Sequence, residues 1–121
     1  MIQRDAEKAI HTLLKGFPVV TITGPRQSGK TTLAQVIFSS KPYVSLEEPD
    51  VRLAAREDPR SFLSRFPDGA VLDEVQRCPE ILSYLQSLVD RDGRMGLFLL
   101  TGSQAFGLLS DVLKLLAKRK R

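Results

Sequence analysis

Gly24-Pro25-Arg26-Gln27-Ser28-Gly29-Lys30-Thr31 is the stretch on which the reading of this chain turns. It sits between a short apolar run with β-branched residues over 17–23 and a helical pattern. That pattern starts near Gly29, runs to about Ser39 and is expected to bury Leu33, Val36 and Ile37. A glycine-rich turn from a buried strand into a helix has a specific physical use. The glycines let the main chain curl so that successive N–H groups point inward at an anion. The helix behind them presents its positive end to the same anion. In the pattern G-x-x-x-x-G-K-[ST], the lysine reaches the β- and γ-phosphates of a nucleotide and the hydroxyl ligates Mg²⁺. Lys30 and Thr31 hold those two positions. Thr32 follows, but Thr31 alone has the expected register. The candidate nucleotide-binding residues are Gly24, Pro25, Arg26, Gln27, Ser28, Gly29, Lys30, Thr31 and Thr32. Four fixed positions arise by accident in well under about 1% of chains this long, and the strand before and helix after are the context the motif requires.

Farther along, Ala70-Val71-Leu72-Asp73-Glu74 reads as a brief apolar strand ending in two acids. In an open α/β sheet, ligands sit beyond the carboxyl ends of the strands. Asp73 is therefore the candidate partner of Mg²⁺ alongside Thr31, directly or through water. Glu74 is the candidate base for an attacking water. A further strand over 97–101 ends in Thr101-Gly102-Ser103-Gln104. A polar group at that tip is placed to contact the γ-phosphate or the water. Ser103 is the first choice, with Gln104 and Thr101 behind it; an N-cap serine is the plainer alternative. Glu74, Lys30 and Ser103 are the candidate catalytic residues.

The rest of the chain alternates between helix and strand patterns, which indicates α/β with a largely parallel sheet. Residues 5–15 place Ala6, Ala9, Ile10, Leu13 and Leu14 on one helical stripe, with Gly16 as the stop. Residues 43–46 read as a second strand and 49–57 as a short helix. Asp58-Pro59 then has the form of an N-cap followed by proline at the first helical position. Pro67-Asp68-Gly69 is a turn, and Pro79 opens a helix with Ile81, Leu82, Leu85, Leu88 and Val89 inward. Tyr43 and Tyr84 are expected to pack at the core edge, His11 at the surface, and Cys78 in a structural position. Arg26, Gln76 and Arg77 are open between phosphate or partner contacts and plain solvated loop positions.

With 121 residues, 42% of them hydrophobic, the chain suits one domain with one core. The longest apolar run is about five residues around Leu97 to Leu100, far short of the roughly 20 that span a bilayer. No signal-peptide pattern opens the chain, and a single cysteine makes no internal disulfide or thiolate metal site. The expected location is the cytoplasm. The net charge of +4 is a property of the end of the chain: Lys114, Lys118, Arg119, Lys120 and Arg121 supply five cations. The remaining residues carry 13 basic and 14 acidic groups, one net negative charge. The body is thus a poor nucleic-acid surface.

These stretches resemble the AAA+ branch of P-loop ATPases and, more narrowly, the prokaryotic AAA_14 ATPase domain, often followed by a DUF4143 domain. The matching residues are Phe17-Pro18-Val19-Val20, the loop from Gly24 to Leu33, Leu46-Glu47-Glu48-Pro49-Asp50 and Asp58-Pro59. They continue with Asp73-Glu74-Val75-Gln76-Arg77 followed by Pro79, and with Thr101-Gly102-Ser103-Gln104. They occur in the family's order over roughly residues 1–110. The resemblance implies a three-layer P-loop NTPase with a mainly parallel sheet, the fourth strand lying between the first and third. It implies Mg-ATP binding and hydrolysis, with Lys30 and Thr31 in Walker A, Asp73 and Glu74 in Walker B, and a sensor near Ser103. The family continues past the fourth strand, whereas residues 113–121 depart from its pattern. The expectation is therefore a truncated ATPase core over 1–112 with four strands, lacking the fifth strand, the lid and an arginine finger, and a basic amphipathic tail over 113–121. Such a finger is worth roughly 10³ to 10⁵ in rate, so nucleotide binding is a firmer expectation than turnover by this chain alone.

The function read from these residues is ATP hydrolysis coupled to a conformational change in a neighbouring domain, a C-terminal partner domain or a second copy. The alternatives are a non-catalytic nucleotide-binding switch and a small-molecule phosphotransferase. For the tail, core packing is the first reading, followed by a membrane-surface helix and a nucleic-acid contact.

Overall fold

The computed structural model describes residues 2–24 and 29–103. Helices and strands alternate along them: α1 (Ile2–Gly16), β1 (Val19–Thr23), α2 (Lys30–Ile37), β2 (Tyr43–Ser45), α3 (Pro49–Glu57), α4 (Pro59–Leu63), β3 (Ala70–Asp73), α5 (Ile81–Asp92) and β4 (Phe98–Gly102). A 3₁₀ turn over Val75–Arg77 follows β3. The strands form one sheet in the order β1-β4-β3-β2, every neighbouring pair parallel. The fourth strand in sequence thus lies between the first and third, as the family resemblance implies. Sequence segments 104–112 and 113–121, including Gln104 and the basic tail, lie outside the described residues.

Parallel neighbours need crossovers, and the helices that make them cover both faces of the sheet. Strand alternation then sorts the side chains. Ala70 and Leu72 of β3, Phe98 and Leu100 of β4, and Val19 of β1 face one core, with Phe62 of α4 and Ile81 and Leu85 of α5. Val71, Leu99 and Val20 face the other, with Ile10 and Leu14 of α1 and Leu33 and Ala34 of α2. β3 and β4 are buried on both faces, which is why both read as unbroken apolar runs. Each fully buried Leu or Phe is worth roughly 1.5–3 kcal/mol over its exposed state, so these two strands anchor everything attached to their ends.

Local signals set the joints. The Asp58 carboxylate accepts the Ser61 amide at 3.0 Å and caps α4, with Pro59 in its first turn. Gly69 lets the chain enter β3: its φ is +93°, and a Cβ there would lie 1.7 Å from the Leu97 carbonyl oxygen. The helical faces differ from the sequence expectation at two places. On α1, Ile10 and Leu14 are buried but Leu13 is 44% exposed. On α2, Leu33 is buried and Ile37 half-buried, while Val36 is 48% exposed and Ala34 takes its place inside. The inward stripe of α2 is the one that continues from Lys30, which is itself buried. Tyr43 and Tyr84 are each 39% exposed, and Cys78 is buried in the core. Among the described residues no helix is long and apolar enough to cross a membrane.

Candidate functional site

Because every strand runs the same way, all four carboxyl ends share one edge of the sheet. β3 delivers Asp73 and Glu74 there, β4 delivers Thr101 and Ser103, and β1 leads into Gly24. The Gly24 amide bonds the Gly102 carbonyl at 3.3 Å, which ties the start of the glycine-rich loop to the tip of β4. On the far side of that loop, Gly29 caps α2 with φ +90°, a left-handed backbone that suits glycine.

Alternation decides which side chains meet. Val71 faces α2, so Asp73, two residues on, does as well. Pairing of Val71 with Leu99 and of Leu72 with Leu100 carries Asp73 alongside Thr101. Pairing of Tyr43 with Val71 puts the Tyr43 ring on the same face. Three hydroxyls consequently converge on one carboxylate. Thr31, in the first turn of α2, donates to Asp73 Oδ1 at 3.0 Å. Thr101 donates to the same oxygen. Tyr43 donates to Oδ2 at 2.8 Å. Burial, and then the Asp73 carboxylate, push the Tyr43 phenol above its ordinary range, so it stays a donor.

Glu74 leaves the strand direction. Its φ and ψ of 58° and 53° make it the one non-glycine with positive φ among the described residues. A left-handed non-glycine residue costs about 1–2 kcal/mol. The turn is held from behind by Thr101, whose Oγ1 accepts the Glu74 amide at 3.0 Å. It aims the Glu74 side chain back at α2, where Oε2 lies 3.3 Å from Lys30 Nζ; both side chains are almost fully buried. Oε1 accepts from Ser103 and from Gln76 Nε2 at 2.6 Å. Gln76 Nε2 also reaches Ser103 Oγ at 3.3 Å. Burial alone would raise the Glu74 pKa, but the hydrogen bonds from Ser103, Gln76 and Lys30 outweigh it and hold the carboxyl below the usual glutamate range.

The structure therefore gathers Lys30, Thr31, Asp73, Glu74 and Ser103 within one hydrogen-bonded cluster. Gly24 and Gly29 flank it. Thr32 is exposed on α2 and joins none of the contacts given above. Pro25, Arg26, Gln27 and Ser28 lie outside the described residues, as does Gln104. Arg77 is exposed. Three features exceed what the sequence reading foresaw. Thr101, ranked behind Ser103, bridges both acids. Gln76 grips Glu74. Tyr43, expected only to pack, bonds Asp73. The register of β2 against β3 is the signal that would have exposed Tyr43, and no single-strand pattern contains it.

A family model described as an AAA domain, AAA_14, matches residues 16–121. The chain is also similar to two curated proteins, the uncharacterized proteins Mb2031c of Mycobacterium bovis and Rv2008c of Mycobacterium tuberculosis. Each is 37% identical over 115 residues, covering 92% of this chain and 26% of the relative. The chain thus spans about a quarter of the length of the curated relatives it matches. No solved structure matches. With a parallel β1-β4-β3-β2 sheet, a glycine-rich strand-to-helix loop and a family model covering nearly all of its length, the chain belongs to the AAA domain family of nucleotide-binding P-loop proteins.

Proposed function

We propose that this chain binds Mg-ATP over residues 24–31 and hydrolyses it to ADP and phosphate. The observation that carries the reading is the meeting of two pairs at one sheet edge: Thr31 with Asp73 at 3.0 Å, and Lys30 with Glu74 at 3.3 Å. The residues present suit the ligand. Gly29 at φ +90° leaves the chain free of a Cβ beside the helix N-terminus, where phosphate oxygens bind. A hydroxyl and one carboxylate are a weak metal site alone, and among the described residues no group of three or more His, Cys, Asp or Glu converges as a metal cage. Mg²⁺ characteristically takes one or two carboxylates plus substrate phosphates, which is this donor set. Among the described residues, the buried Gln76 Oε1 has no hydrogen-bond partner, and it is an acceptor suited to a water in the site.

Mg²⁺, when bound, neutralises charge on the phosphate oxygens. Thr31 and Asp73 would hold it. Lys30 would turn from Glu74 to the β- and γ-phosphates, releasing Oε2. Glu74 is then free to orient a water and take its proton, with Oε1 kept in place by Ser103 and Gln76. The depressed pKa of Glu74 suits a group that must be ionised before it can accept that proton. The released energy would drive a change in a neighbouring domain or a second chain, in keeping with relatives about four times as long.

Calorimetry with ATP, with and without Mg²⁺, followed by a phosphate-release assay, tests the reading. Metal-dependent binding and free phosphate are the expected results. No heat from any nucleoside triphosphate on folded protein would overturn the site. Binding without phosphate release would favour a non-catalytic switch, and labelled γ-phosphate in an organic product would favour a phosphotransferase.

A further inference from the structure

Tyr43 stands on a three-residue edge strand and is 39% exposed. Its hydroxyl nevertheless points inward and meets Asp73 Oδ2 at 2.8 Å. An ionised carboxylate offers about four lone-pair positions. Among the described residues, Thr31 and Thr101 take both positions on Oδ1, and Tyr43 takes one of the two on Oδ2. Three donors from three elements, α2, β4 and β2, fix the plane of the carboxylate. Among the described residues, no further donor takes the remaining Oδ2 lone pair.

We propose that Tyr43 is a positioning residue for the metal: its hydroxyl sets the rotation of the Asp73 carboxylate so that the remaining Oδ2 lone pair serves Mg²⁺ or one of its waters. This rests on the Mg-ATP reading above. Without the phenol, the two threonines still hold Oδ1, but Oδ2 is free to swing toward solvent at the β2 edge. Outer hydrogen bonds to metal-holding groups typically govern metal affinity by 10- to 100-fold. The contribution of Tyr43 falls at the lower end, roughly tenfold, because the threonine pair remains.

The test uses the full chain and a non-hydrolysable ATP analogue. Its affinity is measured by calorimetry in EDTA and in Mg²⁺, for wild type and Tyr43→Phe. The expected result is an unchanged affinity in EDTA and a gain from Mg²⁺ about tenfold smaller in the variant. A role in packing alone would leave that gain intact, or weaken binding equally in EDTA and Mg²⁺; either outcome overturns the proposal. The chain has two tyrosines and no tryptophan, which gives a second readout. In Tyr84→Phe, the remaining phenol is Tyr43, and its emission should change when Mg²⁺ is added to the nucleotide-bound protein and return on chelation. Emission blind to Mg²⁺ would count against the contact. A wild type that gains nothing from Mg²⁺ sinks the parent reading. A wild type that gains while Tyr43→Phe gains equally sinks only the role of Tyr43.

Discussion

Lys30 and Glu74 form a buried ion pair across the mouth of the site, Nζ 3.3 Å from Oε2. Lys30 opens α2 behind the glycine-rich stretch, and Glu74 follows the last residue of β3. In this arrangement each neutralises the other, and neither is free for chemistry. On the proposed function, a triphosphate that drew Lys30 away would free Glu74 at the same moment, and arming of the base would be tied to arrival of the substrate.

Replacing Lys30 by alanine removes the ammonium that would meet the phosphates. Hydrogen bonds to charged groups are worth about 1.5–3 kcal/mol, so ATP affinity should fall by roughly 10- to 100-fold or more. Isothermal calorimetry against wild type checks this. Unchanged affinity would remove Lys30 from the site.

Glu74→Gln keeps the shape of the side chain and its acceptor oxygen but loses the basic carboxylate. ATP should still bind, and phosphate release should fall at least about 100-fold, the usual scale of general-base catalysis. Equal turnover in both proteins, followed by phosphate release, would take Glu74 out of the mechanism.

Acid should act through the same residue. The folded pKa of Glu74 lies below its free value of 4.5. Its ionised form therefore stabilises the fold above that value, and the contribution is lost as pH falls through the lower, folded pKa. Thermal melts should show wild type losing stability below about pH 4.5 more steeply than Glu74→Gln.

Thr101→Val is nearly isosteric but removes a donor to Asp73 and the acceptor of the Glu74 amide. A buried amide left without a partner costs about 1–3 kcal/mol. The melting temperature should fall by several degrees, and Thr101→Ser should recover most of it. A silent Thr101→Val would show that the left-handed turn at Glu74 stands without this hydroxyl.

Gly69→Ala should unfold or severely weaken the protein, since its Cβ would overlap the Leu97 carbonyl and its φ is +93°. Strain of this kind runs to about 3 kcal/mol or beyond. Gly16→Ala, with open space around the added methyl, is the control and should be close to neutral in denaturant titration.

Much of this was legible before any coordinates. Residues 24–31 carry glycine, lysine and a hydroxyl in the order a phosphate loop uses, and the strand before them and the helix after them are where that pattern expects them. Ala70 to Glu74 announces a strand that ends in acids because burial on both faces demands an unbroken apolar run. Asp58-Pro59 marked the start of α4 because capping is local chemistry. The misread residues depend on partners distant in sequence. Leu13 and Val36 fit a helical stripe, yet the stripe that turns inward is chosen by the sheet beneath. Tyr43 and Thr101 acquire their roles from strand register, which links residues about 30 positions apart.

That register makes the sheet its own proofreader. A slip of one residue between β3 and its neighbours would send Asp73 to the α5 side and leave Leu72 confronting Thr31. The same slip would expel Val71 from one core and force Leu72 into it. A misthreaded molecule is thus both poorly packed and chemically blank, and selection for a sound interior is at once selection for an intact site.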